Sequence, residues 1–405
     1  MAGILIVDQI QNSSNTLLIN SGALAGNTVG TAQLQSGITV AANTITANTV
    51  TTSGMSLGGV SIGAGDASIM KNRIINGAMV IDQRNAGASV TPADGAYTLD
   101  RWKVGISQAS KFTVQQNAGS VSLPAGFTNY LGVTSSSAYS VGSGDYFGLR
   151  HCIEGYNVAD LGWGSASAKT VTLSFQVYSS LTGTFGGVLQ NSAQNRSYPF
   201  TYTVSSANTW TSISVTIAGD TTGTWLTTNG IGMYVIFGLG VGSTYSGTAG
   251  SWAGSLYLSA TGATSVVGTS GATFYITGVQ LEVGSSATGF EYVNYQTSLA
   301  NCQRYFCSSF NIGTAPAQNI GGGMIGKGAN GATAEPILTW SFPVAMRTSP
   351  TVTTYNPSAA NNQWSAGSSP RVVTGTTAYV SVDNTGTAVT AGTQSYISLS
   401  ATAEL

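Results

Sequence analysis

Charge is what this chain has least of. Only 7% of its 405 residues are Asp, Glu, Lys or Arg, 14 acids against 13 bases, where a typical soluble domain carries about 25%. A net charge of −1 gives no electrostatic footprint for a phosphate backbone, so nucleic acid is not an expected partner. Histidine is nearly missing too. A Ser-His-Asp hydrolase or a histidine metal centre would have to use His151, whose neighbours Arg150, Cys152 and Glu154 fall in no known spacing; it reads as a satisfied polar residue at the start of a strand. The three cysteines, Cys152, Cys302 and Cys307, are too few for a disulfide scaffold and form no thiol-pair metal motif. They read as reduced, apolar side chains, with a Cys302–Cys307 pair open only if the local backbone permits it. No cofactor and no metal are expected. The longest apolar run, Ile231 to Phe237, is far short of the ~20 residues that span a bilayer, so membrane insertion is not expected. No basic stretch precedes Ile4-Leu5-Ile6-Val7, so neither is a cleaved secretory signal.

What is present is apolar and small. With 42% hydrophobic residues, the chain has enough apolar surface to offset chain entropy, which argues against disorder. A neutral surface of Ser, Thr, Asn and Gly is expected where copies bury one another. Between Asp8 and Asp66 there is no charged residue, and Asn-Thr-(Val/Ile) recurs at Asn27, Asn43 and Asn48 among aliphatics such as Leu34, Ile38, Val40, Leu57, Val60 and Ile62. No heptad and no glycine at every third position occur, which disfavours a coiled coil and excludes a collagen-like helix. Residues 1–70 read as an extended, intertwined shaft or anchor, a single chain of this kind being unable to bury its aliphatic row alone; the alternative is a low-complexity linker.

From Met70 the texture changes. Thr170 to Tyr178 and Trp210 to Ile217 alternate apolar and polar at period two, the pattern of half-buried strands, and Ile231 to Phe237 and Thr273 to Val279 add two more. Gly, Asn and Asp clusters separate them. Many short strands with glycine-rich turns predict an all-β fold, with a jelly-roll-like β-sandwich over residues 71–297. Ser298 to Tyr305 reads as a short helix capped by Ser298. It leads into a small C-terminal β domain, 298–405, with strands around Ile337 to Val344, Thr351 to Tyr355, Ala378 to Val382 and Tyr396 to Leu399. Pro343, Pro350, Pro357 and Pro370 are expected at turns or edges.

Paired carboxylates cut glycans, and the near pairs are Asp94 with Asp100 and Glu282 with Glu291; Glu282 reads as a cap or an arginine partner. No catalytic residue is assigned. Gly321-Gly322-Gly323 lacks the Lys-Ser/Thr of a phosphate loop and reads as a turn. Aromatics are better candidates for recognition, because sugar rings stack on Trp and Tyr while amides hydrogen-bond their hydroxyls. Trp364 lies in Asn361-Asn362-Gln363-Trp364-Ser365, and Tyr355-Asn356 is similar. Tyr355, Asn356, Asn362 and Trp364 are therefore the candidate receptor-binding residues, the alternative for Trp364 being a place in a core or a subunit interface. Trp163, Trp210, Trp225 and Trp252 read as core or interface.

Several runs, taken in order, resemble bacteriophage tail fibre and tail-associated proteins with a carbohydrate-binding-module-like jelly roll. They include Asn157 to Gly164, Arg196 to Phe200, Gly219 to Trp225, Gly278 to Gly284, Ala287 to Glu291, Cys302-Gln303-Arg304-Tyr305-Phe306 and Phe342 to Pro350. Coverage runs from about Asn72 to Val352. One departure is Tyr292-Val293-Asn294, where similar proteins carry basic residues and a proline. The resemblance implies a homotrimeric virion protein, assembled in a host cytoplasm. It would attach to a tail or other virion component through its first residues, Ile4, Ile6 and Val7 among them, and its C-terminal domain would adhere to a host surface glycan or protein. Alternatives are a head or neck fibre, a capsule-degrading tailspike depolymerase, or a bacterial surface lectin.

Overall fold

The structure is a computed structural model that describes residues 55–57, 60–62, 70–331, 337–385 and 388–405. Most of the expected shaft, including Ile4, Ile6 and Val7, lies outside the described residues. Within it two short strands, β1 (Met55–Leu57) and β2 (Val60–Ile62), pair antiparallel.

Two antiparallel sheets form the body. One has six strands in the order β10-β9-β12-β7-β4-β3. They are β3 (Tyr97–Leu99), β4 (Trp102–Ile106), β7 (Tyr146–Glu154), β9 (Gly183–Asn191), β10 (Ser197–Val204) and β12 (Ile231–Val241). The other has five in the order β11-β8-β15-β6-β5, namely β5 (Phe112–Gln116), β6 (Leu131–Ser135), β8 (Val171–Ser179), β11 (Thr211–Ile217) and β15 (Thr273–Val283). The chain passes repeatedly from one sheet to the other, and this makes the pair a jelly-roll-like sandwich. Val171, Leu173, Phe175 and Val177 of β8 pack inward against Met233, Val235, Phe237 and Leu239 of β12 in one apolar core. The alternation of β8 follows from having one solvent-facing side. Strand β12 is apolar on both sides because its outer face is covered as well. There Tyr234 and Ile236 pack with Cys152, Val188 and Leu258, beneath the short parallel pair β13 (Ser246–Gly247) and β14 (Ser259–Ala260). Pro199 sits in β10, an edge strand, where its missing N–H costs no ladder bond.

The run Gly278 to Gly284 belongs to β15 and holds a bulge. The register with β8 shifts between Thr277 and Gln280, and Gly278 takes φ +60°. A methyl group at Gly278 would meet the Phe127 ring at 2.6 Å, so both backbone and packing require glycine. Beyond the bulge the chain entering at Asn72 pairs with β15: Arg73 N donates to Leu281 O at 2.9 Å and Val279 N donates to Gly77 O at 2.9 Å.

The helix α1 spans Tyr295–Gln303, three residues earlier than expected. Its cap is Asn294, whose side chain accepts from Thr297 N at 2.8 Å. Ser298 lies inside the helix and is buried, which corrects its assignment as the cap. Beyond it, β16 (Phe306–Ser308), β17 (Ile325–Gly328) and β19 (Thr351–Tyr355) pair with β22 (Gln394–Thr402). Strands β18 (Leu338–Ser341), β21 (Tyr379–Thr385) and β20 (Ser369–Gly375) form a three-stranded sheet with Pro370 on the edge strand.

These C-terminal sheets meet the sandwich through a concentration of the scarce charges. Arg304 grips Glu154 with two hydrogen bonds of 2.6 and 2.9 Å, and the Tyr305 hydroxyl donates to the same carboxylate at 2.5 Å. Glu404 accepts from Arg84 at 2.7 Å and from Arg101. The Arg101 guanidinium lies 3.6 Å from the Tyr305 ring centroid. Arg347 donates to the carbonyls of Asn229, Ala403 and Glu404, each at 2.8 Å. Glu154, Arg101 and Glu404 are buried, so each charge needs these partners to offset its lost hydration.

Candidate functional site

The five-stranded sheet turns its outer face partly to solvent. Because Leu173, Phe175 and Val177 of β8 point inward, Thr172, Ser174, Gln176 and Tyr178 point outward. The registers set their neighbours in rows across β11, β8 and β15: Ser212–Gln176–Thr277, Ser214–Ser174–Gln280 and Thr216–Thr172–Glu282. Tyr178 pairs with Tyr275, and the rings lie parallel at 7° with centroids 5.3 Å apart. Trp210, just before β11, sits 5.5 Å from Tyr178 on its other side. One aromatic row therefore adjoins three rows of hydroxyls and amides. The four rows extend over about 20 Å of strand.

The aromatic row is held rigid. Trp210 Nε1 donates to Ser122 O at 2.7 Å, and the buried Tyr130 meets both Trp210 and Tyr275, at 5.7 and 5.1 Å. Burial pushes the Tyr275 and Tyr130 hydroxyls above their usual pKa, so both stay neutral donors at ordinary pH. The segment 117–130 covers Tyr275 and the Thr277 hydroxyl, which donates to Asn129 O at 2.7 Å. Tyr178, Trp210, Ser174 and Gln176 remain half-buried, while Ser212, Ser214 and Thr216 are exposed. Ser212 donates to the Gln176 amide oxygen at 3.0 Å, fixing the amide's orientation. The only ionisable side chain in the three polar rows is Glu282. It accepts from Gln280 at 2.9 Å and from Thr288 N and Oγ1 at 2.8 and 2.6 Å. Its partner is thus the loop after β15 and not an arginine. The open part of the face is neutral, aromatic at one end and hydroxyl-rich at the other.

The residues singled out from sequence lie elsewhere. Trp364 is fully buried in the C-terminal core with Val380, Val382, Ile397 and Leu399. Its Nε1 donates to Asp383 O at 3.2 Å, and Lys327 Nζ lies 4.5 Å from its ring. That ring is not available to stack on a sugar, which corrects its assignment as a surface platform. Asn356 is buried as well; its amide donates to Asn361 at 2.8 Å and holds the loop that buries Trp364. The half-buried Tyr355 bonds Ser400 at 3.1 Å and meets Phe310 edge-on at 5.4 Å. Asn362 is exposed and accepts from Gln318 at 2.7 Å. The amides around Trp364 organise a loop over a core residue and do not ring an exposed one.

His151 lies in the second half of β7, not at its start, and is fully buried. Its Nε2 is 3.0 Å from Ile75 O, and its ring meets Trp102 edge-on at 5.1 Å. Burial and the nearby Arg101 charge hold its pKa down at about 3. Asp94 accepts from Ile106 N at 2.8 Å, Asp100 from Gln83 at 2.7 Å, and Glu291 from Asn72 N at 2.5 Å. All three carboxylates accept from backbone N–H groups. The three cysteines are free and buried. Among the described residues no group of three or more His, Cys, Asp or Glu is placed to hold a metal ion.

No protein-family profile matches the chain. No curated protein matches it either. Among solved structures, it is similar to the enzymatically active domain of tailspike protein 4 from bacteriophage CBA120, at 12% identity and a TM-score of 0.30. That match covers 53% of this chain and 22% of the other, so it spans about a fifth of the tailspike domain. A CBM4 module shows 14% identity and a TM-score of 0.26, over 52% of this chain and 99% of that one. A family 11 carbohydrate-binding module from Clostridium thermocellum, in complex with a mixed-linked tetrasaccharide, shows 11% identity and a TM-score of 0.24, over 50% and 98%.

Proposed function

We propose that this chain is a non-enzymatic adhesin that binds a neutral glycan on the outer face of its five-stranded sheet, and that it works as a homotrimeric tail fibre of a bacteriophage. The observation that carries the glycan reading is the Trp210–Tyr178–Tyr275 row beside the hydroxyl and amide rows of β11 and β8. A sugar chain laid along β8 and β11 would rest its CH faces on Tyr178 and Trp210 and exchange hydrogen bonds with Ser212, Ser214, Gln176 and Thr216. Such contacts are individually weak, and adhesion strength would come from several copies acting together.

The virion reading rests on the ordered runs that resemble phage tail proteins, several of which have concrete structural roles here. Gly278 makes the β15 bulge, and Arg304, Tyr305 and Arg347 lock the C-terminal sheets to the sandwich. Self-association is supported by the low charge and by a recess of about 950 Å³ with Phe127, Phe290 and Val344 in its wall. Met70, Tyr292, Val293 and Tyr295 are exposed beside or near it. Its charged residues are already committed: Arg73 to Asp160, Arg304 to Glu154 and Glu291 to Asn72 N. With those charges paired and apolar side chains exposed at its edge, the recess fits a second copy of the same chain. Light scattering on the purified chain tests the assembly, with three copies expected and a stable monomer contradicting it. Binding to an array of bacterial surface polysaccharides tests the site, with loss expected in Tyr178→Ala and Trp210→Ala. New reducing ends released from a bound polysaccharide would revive the depolymerase.

A further inference from the structure

Three of the seven tryptophans meet at one end of the sandwich, away from the aromatic row. Trp163 lies edge-on to Trp225 at 4.7 Å and to Trp252 at 5.3 Å, and Trp225 meets Trp252 at 5.5 Å. Each indole N–H is used: Trp163 donates to Lys169 O at 2.7 Å, Trp252 to Ala218 O at 2.8 Å and Trp225 to Asp220 at 3.3 Å. Asp220 is itself held by Arg196 through bonds of 2.8 and 2.7 Å. The rings are fixed before any ligand arrives, so binding there would cost little ordering entropy.

Beside Trp163 and Trp225 is a cavity of about 40 Å³, lined by Val158, Ala159, Leu161, Leu226 and Met233. Its base is apolar. Ala159, Leu226 and Thr227 are exposed, and the loop around them presents Thr221, Thr222, Thr224, Thr227, Thr228 and Asn229 to solvent. An apolar notch of this size with a hydroxyl-rich rim suits a small alkyl group carried on a polar ring.

We propose that this tryptophan corner is a second binding site, which takes the methyl group of a 6-deoxy or N-acetylated sugar. The methyl would enter between Leu226 and the Trp163–Trp225 pair, and the sugar hydroxyls would face the threonines. The proposal depends on the chain binding glycans at all, and the choice of variants separates it from the sheet-face site.

The test is saturation-transfer difference NMR on the full chain with matched sugars: L-rhamnose against L-mannose, and N-acetylglucosamine against glucose. Each pair differs by the methyl-bearing group. Methyl protons should take up the strongest saturation in at least one pair, and the methylated sugar should bind about four- to tenfold more tightly, as expected for burying one methyl. The responding pair tells deoxy sugar from acetamide. Ala159→Leu fills the notch from an exposed position and should abolish the methyl signal. Leu226→Asp places a charge at its lip and serves as the independent variant should the first fail to fold. Tyr178→Ala should leave the signal intact. Equal saturation within both pairs overturns the proposal, as does a signal lost in Tyr178→Ala but kept in Ala159→Leu or Leu226→Asp.

Discussion

Arg304 and Glu154 lie 150 residues apart and close the joint between the C-terminal sheets and the sandwich through two hydrogen bonds of 2.6 and 2.9 Å. Burial pushes the Glu154 carboxyl up, but the hydrogen bonds from Arg304 and Tyr305, with the charges of Arg304 and Arg347, outweigh it and hold the pKa below the usual range. Removing Arg304 leaves a buried carboxylate with Tyr305 as its remaining side-chain donor. Because the Arg304 side chain is about a third exposed, Arg304→Ala should cost about 2–4 kcal/mol, toward the low end for a broken buried pair. Thermal unfolding measures this, and pairing the change with Glu154→Gln should recover part of the loss.

The single histidine gives a clean acid signature. An unfolded histidine titrates near 6.5, and His151 in the fold near 3. Its folded pKa is depressed, so its contribution is complete above pH 6.5 and is lost as pH falls from there toward 3, by about 1.4 kcal/mol per pH unit. Asp100 opposes it. Burial raises its carboxyl to about 6 against the lowering effects of Arg84 and Gln83, so it adds stability as pH falls from 6 toward its unfolded value near 3.9. The His151 ring resonances should stay those of neutral imidazole between pH 8 and 5, and Asp100→Asn should steepen the loss of stability between pH 6 and 4. A ring titration near 6.5 would show that His151 is not buried as described.

Gly278 carries the bulge in β15. Gly278→Ala places a Cβ at φ +60° and 2.6 Å from the Phe127 ring. A cost of about 1–2 kcal/mol follows from the backbone alone, with the clash added. Phe127→Ala should restore the clash portion only. Denaturant titration of the three variants separates the two contributions.

Trp364 and Tyr178 should behave oppositely. Trp364→Ala empties a core position and should cost about 3–5 kcal/mol, whereas a glycan contact there would cost binding with stability kept. Tyr178→Ala removes a half-buried cross-strand partner and should cost about 1 kcal/mol or less in stability. Calorimetry of both proteins, beside their glycan binding, tells the two roles apart.

The sandwich was legible because β8 and β11 are solvated on one face and so alternate at period two. The Cys-Gln-Arg-Tyr run was visible as a motif, but its purpose depends on Glu154, and no local pattern connects residues 150 positions apart. The helix start is ambiguous in sequence because Ser298 and Asn294 are both good caps, and only the fold decides which one meets a free N–H. The residues around Trp364 are not legible in sequence, since amides that fix a loop over a core ring look there like amides that flank an exposed one. Tyr178 and Trp210 were in view as parts of strands. Their alignment with Tyr275 becomes apparent only when β11, β8 and β15 are set in register.

The outer face of the five-stranded sheet is proposed to hold a neutral glycan. The most direct measurement is binding of the wild-type chain, Tyr178→Ala and Trp210→Ala to an array of bacterial surface polysaccharides, with each variant first shown to be folded. Wild-type binding to at least one neutral polysaccharide, lost in both variants, is the predicted result. Undiminished binding by both folded variants would contradict it.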